Sequence, residues 1–238
     1  EVKETAENLS ADLIIFDLEL SPVQNFSIEK ALNIDVIDRT ILIMDIFAQR
    51  ARTAEGKLQV ELAQLQYMLP RLKGSYESMS KLGGGIGTRG PGESKLETDK
   101  RHIRRKISYL KKKLEQVDTR RKNEREKLKR DYKLITIAGY TNAGKSTLLN
   151  SLTNSEVYVE DKLFATLDPS FRMIKFEDNS VAYIVDTVGF IRKLPHNLID
   201  AFKSTLDIIK DADLLLYVCD TSSPELSNEM SISLNLIN

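Results

Sequence analysis

Gly139-Tyr140-Thr141-Asn142-Ala143-Gly144-Lys145-Ser146 matches the pattern G-x-x-x-x-G-K-[ST] in full. A polyphosphate needs main-chain N–H groups turned inward with no side chains in the way, and glycines at both ends of the loop permit that wrap. A helix starting at Lys145 adds the positive end of its dipole. In such a loop Gly139, Asn142, Ala143, Gly144, Lys145, Ser146 and Thr147 line the phosphates. Lys145 reaches the β- and γ-phosphates, and the Ser146 hydroxyl is a ligand for Mg²⁺. The apolar strand Leu134–Ala138 precedes the loop and an amphipathic stretch to Thr153 follows it, as the motif requires.

Forty residues further on, Asp186-Thr187-Val188-Gly189 closes the apolar run Ile184-Val185. A carboxylate placed there can hold Mg²⁺ through water, and the Gly189 amide can meet a γ-phosphate. Between the two motifs, Thr166 in Phe164–Pro169 is the candidate threonine that joins the metal when a γ-phosphate is present. The residue after Gly189 is Phe190, whose ring cannot hydrogen-bond an attacking water, so the spacing predicts slow intrinsic hydrolysis. Asn142 has two readings. Its side-chain carbonyl could coordinate a K⁺ ion beside the phosphates, or it could be a plain turn residue tolerant of unusual dihedrals.

The elements that carry these residues alternate as in a parallel sheet with helices on its faces. Strands are expected at Leu134–Ala138, Phe171–Phe176, Val181–Val185 and Leu214–Cys219, with helices at Lys145–Thr153 and about Asn197–Lys210. Residues 12–38 read as β–α–β, with a Ser21-Pro22 turn and a first strand too apolar to lie half exposed. From Arg39 the apolar period becomes helical: Met44, Phe47, Ala51, Ala54, Leu58, Leu62, Leu65, Leu69 and Leu72 form one seam, which Pro70 should kink or end. Ile103, Ile107, Leu110, Leu114 and Val117 form a second in a helix at about 95–130. The glycine-rich run 83–92 lies between them and predicts an antiparallel hairpin. The fold class is therefore α/β, divided as an α/β remnant over 1–38, a helical hairpin over 39–133 and an incomplete P-loop domain over 134–238.

Charge sharpens this division. The chain of 238 residues has no net charge, yet residues 95–133 hold 17 Lys/Arg against 7 Asp/Glu, and the rest carry the opposite excess. One element seeks anions while the body is ordinary. The basic helix and its glycine tip predict a polyanion contact, with Gly84, Gly85, Gly87, Arg89, Gly90, Arg101, Arg104 and Arg105 as RNA-binding candidates. A single cysteine, Cys219, excludes an internal disulfide. No apolar run is long enough to span a membrane, and no leader is visible at Glu1-Val2-Lys3. These features predict a cytoplasmic monomer.

The strings Val36-Ile-Asp-Arg-Thr, Gln59-Val-Glu-Leu-Ala-Gln-Leu, Leu69-Pro-Arg-Leu, Gly84–Glu93, Gly139–Thr147 and Asp186-Thr-Val-Gly-Phe resemble the HflX family of translational GTPases across essentially the whole chain. The resemblance implies a Ras-like domain that binds GTP or GDP, often ATP also, with Mg²⁺. It further implies a hairpin that enters the large ribosomal subunit near the peptidyl-transferase centre, and dissociation or rescue of stalled ribosomes under stress. In the roles the family assigns, Lys145, Thr166 and Gly189 carry catalysis, and Ser146, Thr166 and Asp186 the metal. Against that plan the chain reads as cut at both ends, before the base-selecting [NT]-K-x-D. Two other classes compete: a coiled-coil P-loop ATPase, and a nucleotide-stabilised scaffold that binds RNA or protein without significant turnover.

Overall fold

A computed structural model describes residues 1–80, 91–153, 169–191, 198 and 203–237, with the backbone alone for 73–80, 91–94, 203–206 and 236–237. The chain divides into two compact units, residues 1–45 with 61–112 and residues 46–60 with 113–238.

In the first unit, helix α1 (Val2–Asn8) leads into a parallel pair of strands, β1 (Leu13–Phe16) and β2 (Asp35–Asp38), joined through helix α2 (Pro22–Leu32). Local chemistry sets the ends of α2. Ser21 and Gln24 form a reciprocal capping box, Pro22 occupies the first turn, and Asn33 closes the helix in the left-handed region at φ 55°. The first strand departs from expectation, since Leu13 and Ile15 are 43% and 51% exposed. Strand β1 has β2 as its one partner in a two-stranded sheet, and the described residues leave the face bearing Leu13 and Ile15 uncovered.

The single long seam beginning at Arg39 is also corrected. Helix α3 (Arg39–Arg50) stops, and α4 (Ala54–Ser80) restarts after a break in which the Thr53 hydroxyl accepts from the Gly56 amide at 3.0 Å. A side-chain cap competes there with continued helix. Ala54 is consequently exposed, and Glu55, Gln59, Val60, Ala63 and Tyr67 take the buried face of α4 beside the expected Leu62. Pro70 does not end the helix, which runs on to Ser80. Helix α5 (Pro91–Asp131) carries the second seam as expected, with Leu110 and Leu114 buried. It runs antiparallel to α4: Lys106 pairs with Glu61 in the first unit at 2.5 Å, and Arg121 with Glu55 in the second at 2.8 Å.

Asp38, fully buried at the end of β2, is the polar hub of the first unit. It accepts from the Leu20 amide (3.0 Å), the Ile41 amide (2.9 Å) and the Tyr67 hydroxyl (2.7 Å), and Arg71 Nη2 stands 3.6 Å away. Arg71 also donates to the Leu20 carbonyl at 2.6 Å and lies over the Tyr67 ring at 3.3 Å. A buried carboxylate is tolerable when several donors replace its water. Burial and the Asp38 carboxylate push the Tyr67 hydroxyl well above its usual range.

The second unit holds a four-stranded sheet in the order β4 (Ser170–Lys175), β5 (Val181–Asp186), β3 (Lys133–Gly139), β6 (Leu214–Val218). Strands β5, β3 and β6 are parallel, and β4 is antiparallel to β5. Alternation along β3 feeds two faces. Ile137 packs with Leu149 of helix α6 (Lys145–Thr153) and with Ile184. Leu134 and Ala138 face Ile208 and Ile209 of helix α7 (Lys203–Lys210). Helix α8 (Leu226–Ile237) follows β6. The base of α5 is tied to the α7–β6 connection, where Asp211 pairs with Arg125 (3.3 Å) and Lys129 (4.0 Å). Asp213 accepts from Lys133 Nζ and from the Leu134 amide, both at 2.9 Å.

Candidate functional site: a phosphate-binding loop

The sheet changes direction of growth at β3. Strands β5 and β6 lie on its two sides, so the crevice beyond the C-terminal ends of β3 and β5 sits at a topological switch point, where α/β sheets bind ligands. The loop Gly139–Gly144 occupies that position. Gly139 is obligatory for packing: a Cβ there would stand 2.1 Å from the Val218 carbonyl oxygen. Ala143 donates its amide to the Tyr140 carbonyl at 3.3 Å, which closes the loop, and Asn142 turns it at φ 62° while remaining exposed. That backbone conformation is one asparagine tolerates in a turn. Gly144 follows at φ 90°, and a Cβ there would project into open space with no atom within 4 Å.

Register brings the second motif alongside. Ile137 of β3 lies opposite Asp186 of β5, which places Asp186 at the mouth of the loop. The Ser146 hydroxyl donates to Asp186 Oδ2 at 2.6 Å. Lys145 is 6% exposed and donates to the Tyr140 carbonyl at 2.7 Å. Burial pulls its ammonium down to about 8, an effect that the Asp186 carboxylate opposes. Gly189 passes so close to the loop that a Cβ would meet Thr141 Cα at 2.6 Å and Lys145 Nζ at 2.9 Å. The structure therefore brings Gly139, Asn142, Ala143, Gly144, Lys145, Ser146, Asp186 and Gly189 together, and Thr147 is exposed on the first turn of α6. A hydroxyl and a carboxylate side by side are hard oxygen donors of the kind Mg²⁺ takes, so the donor set fits that ion.

Two residues of this site carry more than their sequence shows. Thr187, fully buried, donates its hydroxyl to the Ile137 carbonyl at 2.8 Å and pins the end of β5 to β3. Phe190 pairs with the loop through its backbone, donating to Gly139 O at 3.0 Å and accepting from Thr141 N at 2.8 Å. Its ring is buried with Ala138, Ile209, Tyr140 and Leu215. A threonine just after an apolar strand is the only linear sign of the first pin; the second is main-chain pairing and has none.

Thr166, Gly84, Gly85, Gly87, Arg89 and Gly90 lie outside the described residues. Arg101, Arg104 and Arg105 are exposed on α5.

Three family models tile the chain. "GTP-binding GTPase N-terminal" matches residues 1–48, "GTP-binding GTPase Middle Region" residues 50–128, and "50S ribosome-binding GTPase" residues 134–237. GTPase HflX of Caldanaerobacter subterraneus subsp. tengcongensis is 54% identical over 98% of this chain and 54% of its own length. The chain belongs to the HflX family. GTPase HflX of Escherichia coli is 49% identical over 93% of this chain and 52% of its own, so the chain spans about half the length of the HflX relatives it matches. The crystal structure of SsGBP in complex with GDP superposes with a TM-score of 0.51 at 30% identity, over 98% of this chain and 64% of that one. The HflX chain is thus a mixed α/β protein with a P-loop GTPase domain. Among the described residues no helix is long and apolar enough to cross a membrane.

Proposed function

We propose that this chain is the switch portion of a cytoplasmic, monomeric GTPase that binds the large ribosomal subunit and promotes dissociation or rescue of stalled ribosomes. The observation that carries the reading is the convergence of Lys145, Ser146 and Asp186 beneath one glycine-bounded loop, with Ser146 and Asp186 2.6 Å apart. The loop amides and Lys145 hold the triphosphate of GTP, with ATP as a second substrate, and GDP remains as product. Ser146, Asp186 and Thr166 hold Mg²⁺, which when bound neutralises charge on the phosphates. Gly189 offers its amide toward the γ-phosphate. Phe190, with its ring buried, leaves the attacking water to another group, and turnover without a partner is slow. Asn142 adds a K⁺ contact at the loop.

In the same reading, residues 1–38 form part of an α/β segment, 39–133 the arm and 134–238 the nucleotide module. The arm, with Gly84, Gly85, Gly87, Arg89 and Gly90 at its tip and Arg101, Arg104 and Arg105 along α5, contacts ribosomal RNA.

GTP turnover with purified large subunits tests this. Lys145→Ala should abolish turnover, and exchange of K⁺ for Na⁺ should slow it. Removal of residues 83–92 should release the protein from pelleted subunits. Turnover unchanged in Lys145→Ala rejects the site, and unchanged pelleting rejects the RNA-facing tip.

A further inference from the structure

We propose that Thr187 is a positioning residue, whose hydroxyl holds a one-residue bulge at the end of β5 and so sets where Asp186 and Gly189 stand toward Mg²⁺ and a γ-phosphate. The inference rests on the nucleotide-binding reading of the loop and adds to it a residue that touches neither ligand.

The register of the sheet shows the bulge. Ile137 of β3 lies opposite Asp186 of β5, and the two segments pair again at Tyr140 and Phe190. Ala138 and Gly139 on one side therefore face three residues on the other, Thr187, Val188 and Gly189. The longer side must bow. Its far foot is held by main chain, where Phe190 donates to Gly139 O and accepts from Thr141 N. Its near foot is Thr187, whose side chain donates to the Ile137 carbonyl at 2.8 Å. A side chain thus supplies a tie at the point where regular strand pairing stops. Thr187 and Ile137 are both fully buried. A valine of the same shape would leave that carbonyl without this donor.

The groups carried by the bow have little slack. Asp186, next to Thr187, accepts from the Ser146 hydroxyl at 2.6 Å. Gly189 lies so close to the loop that a Cβ would meet Thr141 Cα at 2.6 Å. In the nucleotide-binding reading, the loop amides take the phosphates that GTP and GDP share, while the bow takes the metal and the γ-phosphate. Residues that fix the orientation of metal-holding groups govern metal affinity without touching the ion. A loosened bow therefore penalises the Mg²⁺-bound triphosphate and spares a diphosphate held without metal. A threonine that only supported the fold would penalise both alike.

The test follows binding of fluorescent GDP without metal, and of a fluorescent non-hydrolysable GTP analogue across a Mg²⁺ series. Thr187→Val should raise the Mg²⁺ concentration at half effect about 10- to 100-fold and change metal-free GDP affinity less than about twofold. Thr187→Ser keeps the hydroxyl and should restore the Mg²⁺ dependence of the parent. If circular dichroism shows that Thr187→Val does not fold, Thr187→Cys, of similar size with a weak donor, carries the same comparison. Equal losses for the two nucleotides, an unchanged Mg²⁺ requirement, or a Thr187→Ser variant as impaired as the valine one would overturn the positioning role while leaving the loop a nucleotide site. If the parent bound neither nucleotide, the phosphate-loop reading would fall and the role of Thr187 with it.

Discussion

Replacing Lys145 by Met removes a charge that the fold holds at a cost. Lys145 is 6% exposed, and its ammonium is drawn from 10.5 to about 8 by burial. At roughly 1.36 kcal/mol per pH unit, that difference corresponds to about 3 kcal/mol of unfavourable charge burial in the nucleotide-free protein. Met keeps the chain length and packing but leaves the Tyr140 carbonyl without the 2.7 Å hydrogen bond, a loss of about 1 kcal/mol. The variant should therefore be more stable by about 2 kcal/mol near pH 7, a rise in Tm of about 4–8 °C.

The sign has a pH signature. The lysine is protonated in both folded and unfolded chains below pH 8, so the full cost stands there. Between pH 8 and 10.5 the folded chain gives up its proton first, the unfolded state binds more protons, and the parent gains stability with rising pH. The gap between parent and variant should close across that window. Saturating GTP with Mg²⁺ should reverse the order at pH 7, since ligand at a hundred times its Kd adds about 2.7 kcal/mol to the protein that binds it. Thermal unfolding followed by circular dichroism, with and without nucleotide, reads all three. A variant less stable than the parent at pH 7, or a gap that did not change between pH 8 and 10.5, would refute the buried-charge reasoning.

Two further outcomes follow from the packing of the second unit. Gly139→Ala places a methyl group 2.1 Å from the Val218 carbonyl oxygen and must part β3 from β6, so urea unfolding should show a loss of about 2–4 kcal/mol; a loss below 0.5 kcal/mol would mean that the strands are not so tightly apposed. Asp211→Asn leaves the buried Arg125 beside Lys129 with no acid between them, and because Asp211 is itself 40% exposed the expected loss is about 1–2 kcal/mol. With Arg125→Met already present the same change should cost much less, and strict additivity in that double-mutant cycle would deny the contact.

How much of this was legible in the linear chain depends on the range of the physics involved. The ends of α2, the start of α6 at Lys145, the strands β3, β5 and β6, and the second seam through Leu110 and Leu114 follow from capping chemistry, glycine placement and apolar period, all of which act within a few residues. So did the membership of Lys145, Ser146 and Asp186 in one site, because the loop's side-chain types are dictated by the anion it suits. The break at 51–53 and the exposure of β1 were misjudged. In the first, a threonine hydroxyl won a local competition with the helix. In the second, what lies alongside the strand decided the outcome, and neighbours are not encoded by period.

Tertiary structure alone decided the rest. The 2.6 Å approach of Ser146 to Asp186 requires β5 to pair with β3 in one register across forty residues of chain, and the pin from Thr187 to Ile137 holds that register. Asp38 collects partners from three segments, the farthest of them α4 with Tyr67 and Arg71, to become a buried hub rather than another surface acid. Among the cations of α5, those at its base meet Glu55 and Asp211 and those on its outer face do not. Composition counted these charges; which of them remain available to a partner is settled by where the acids of other elements come to rest.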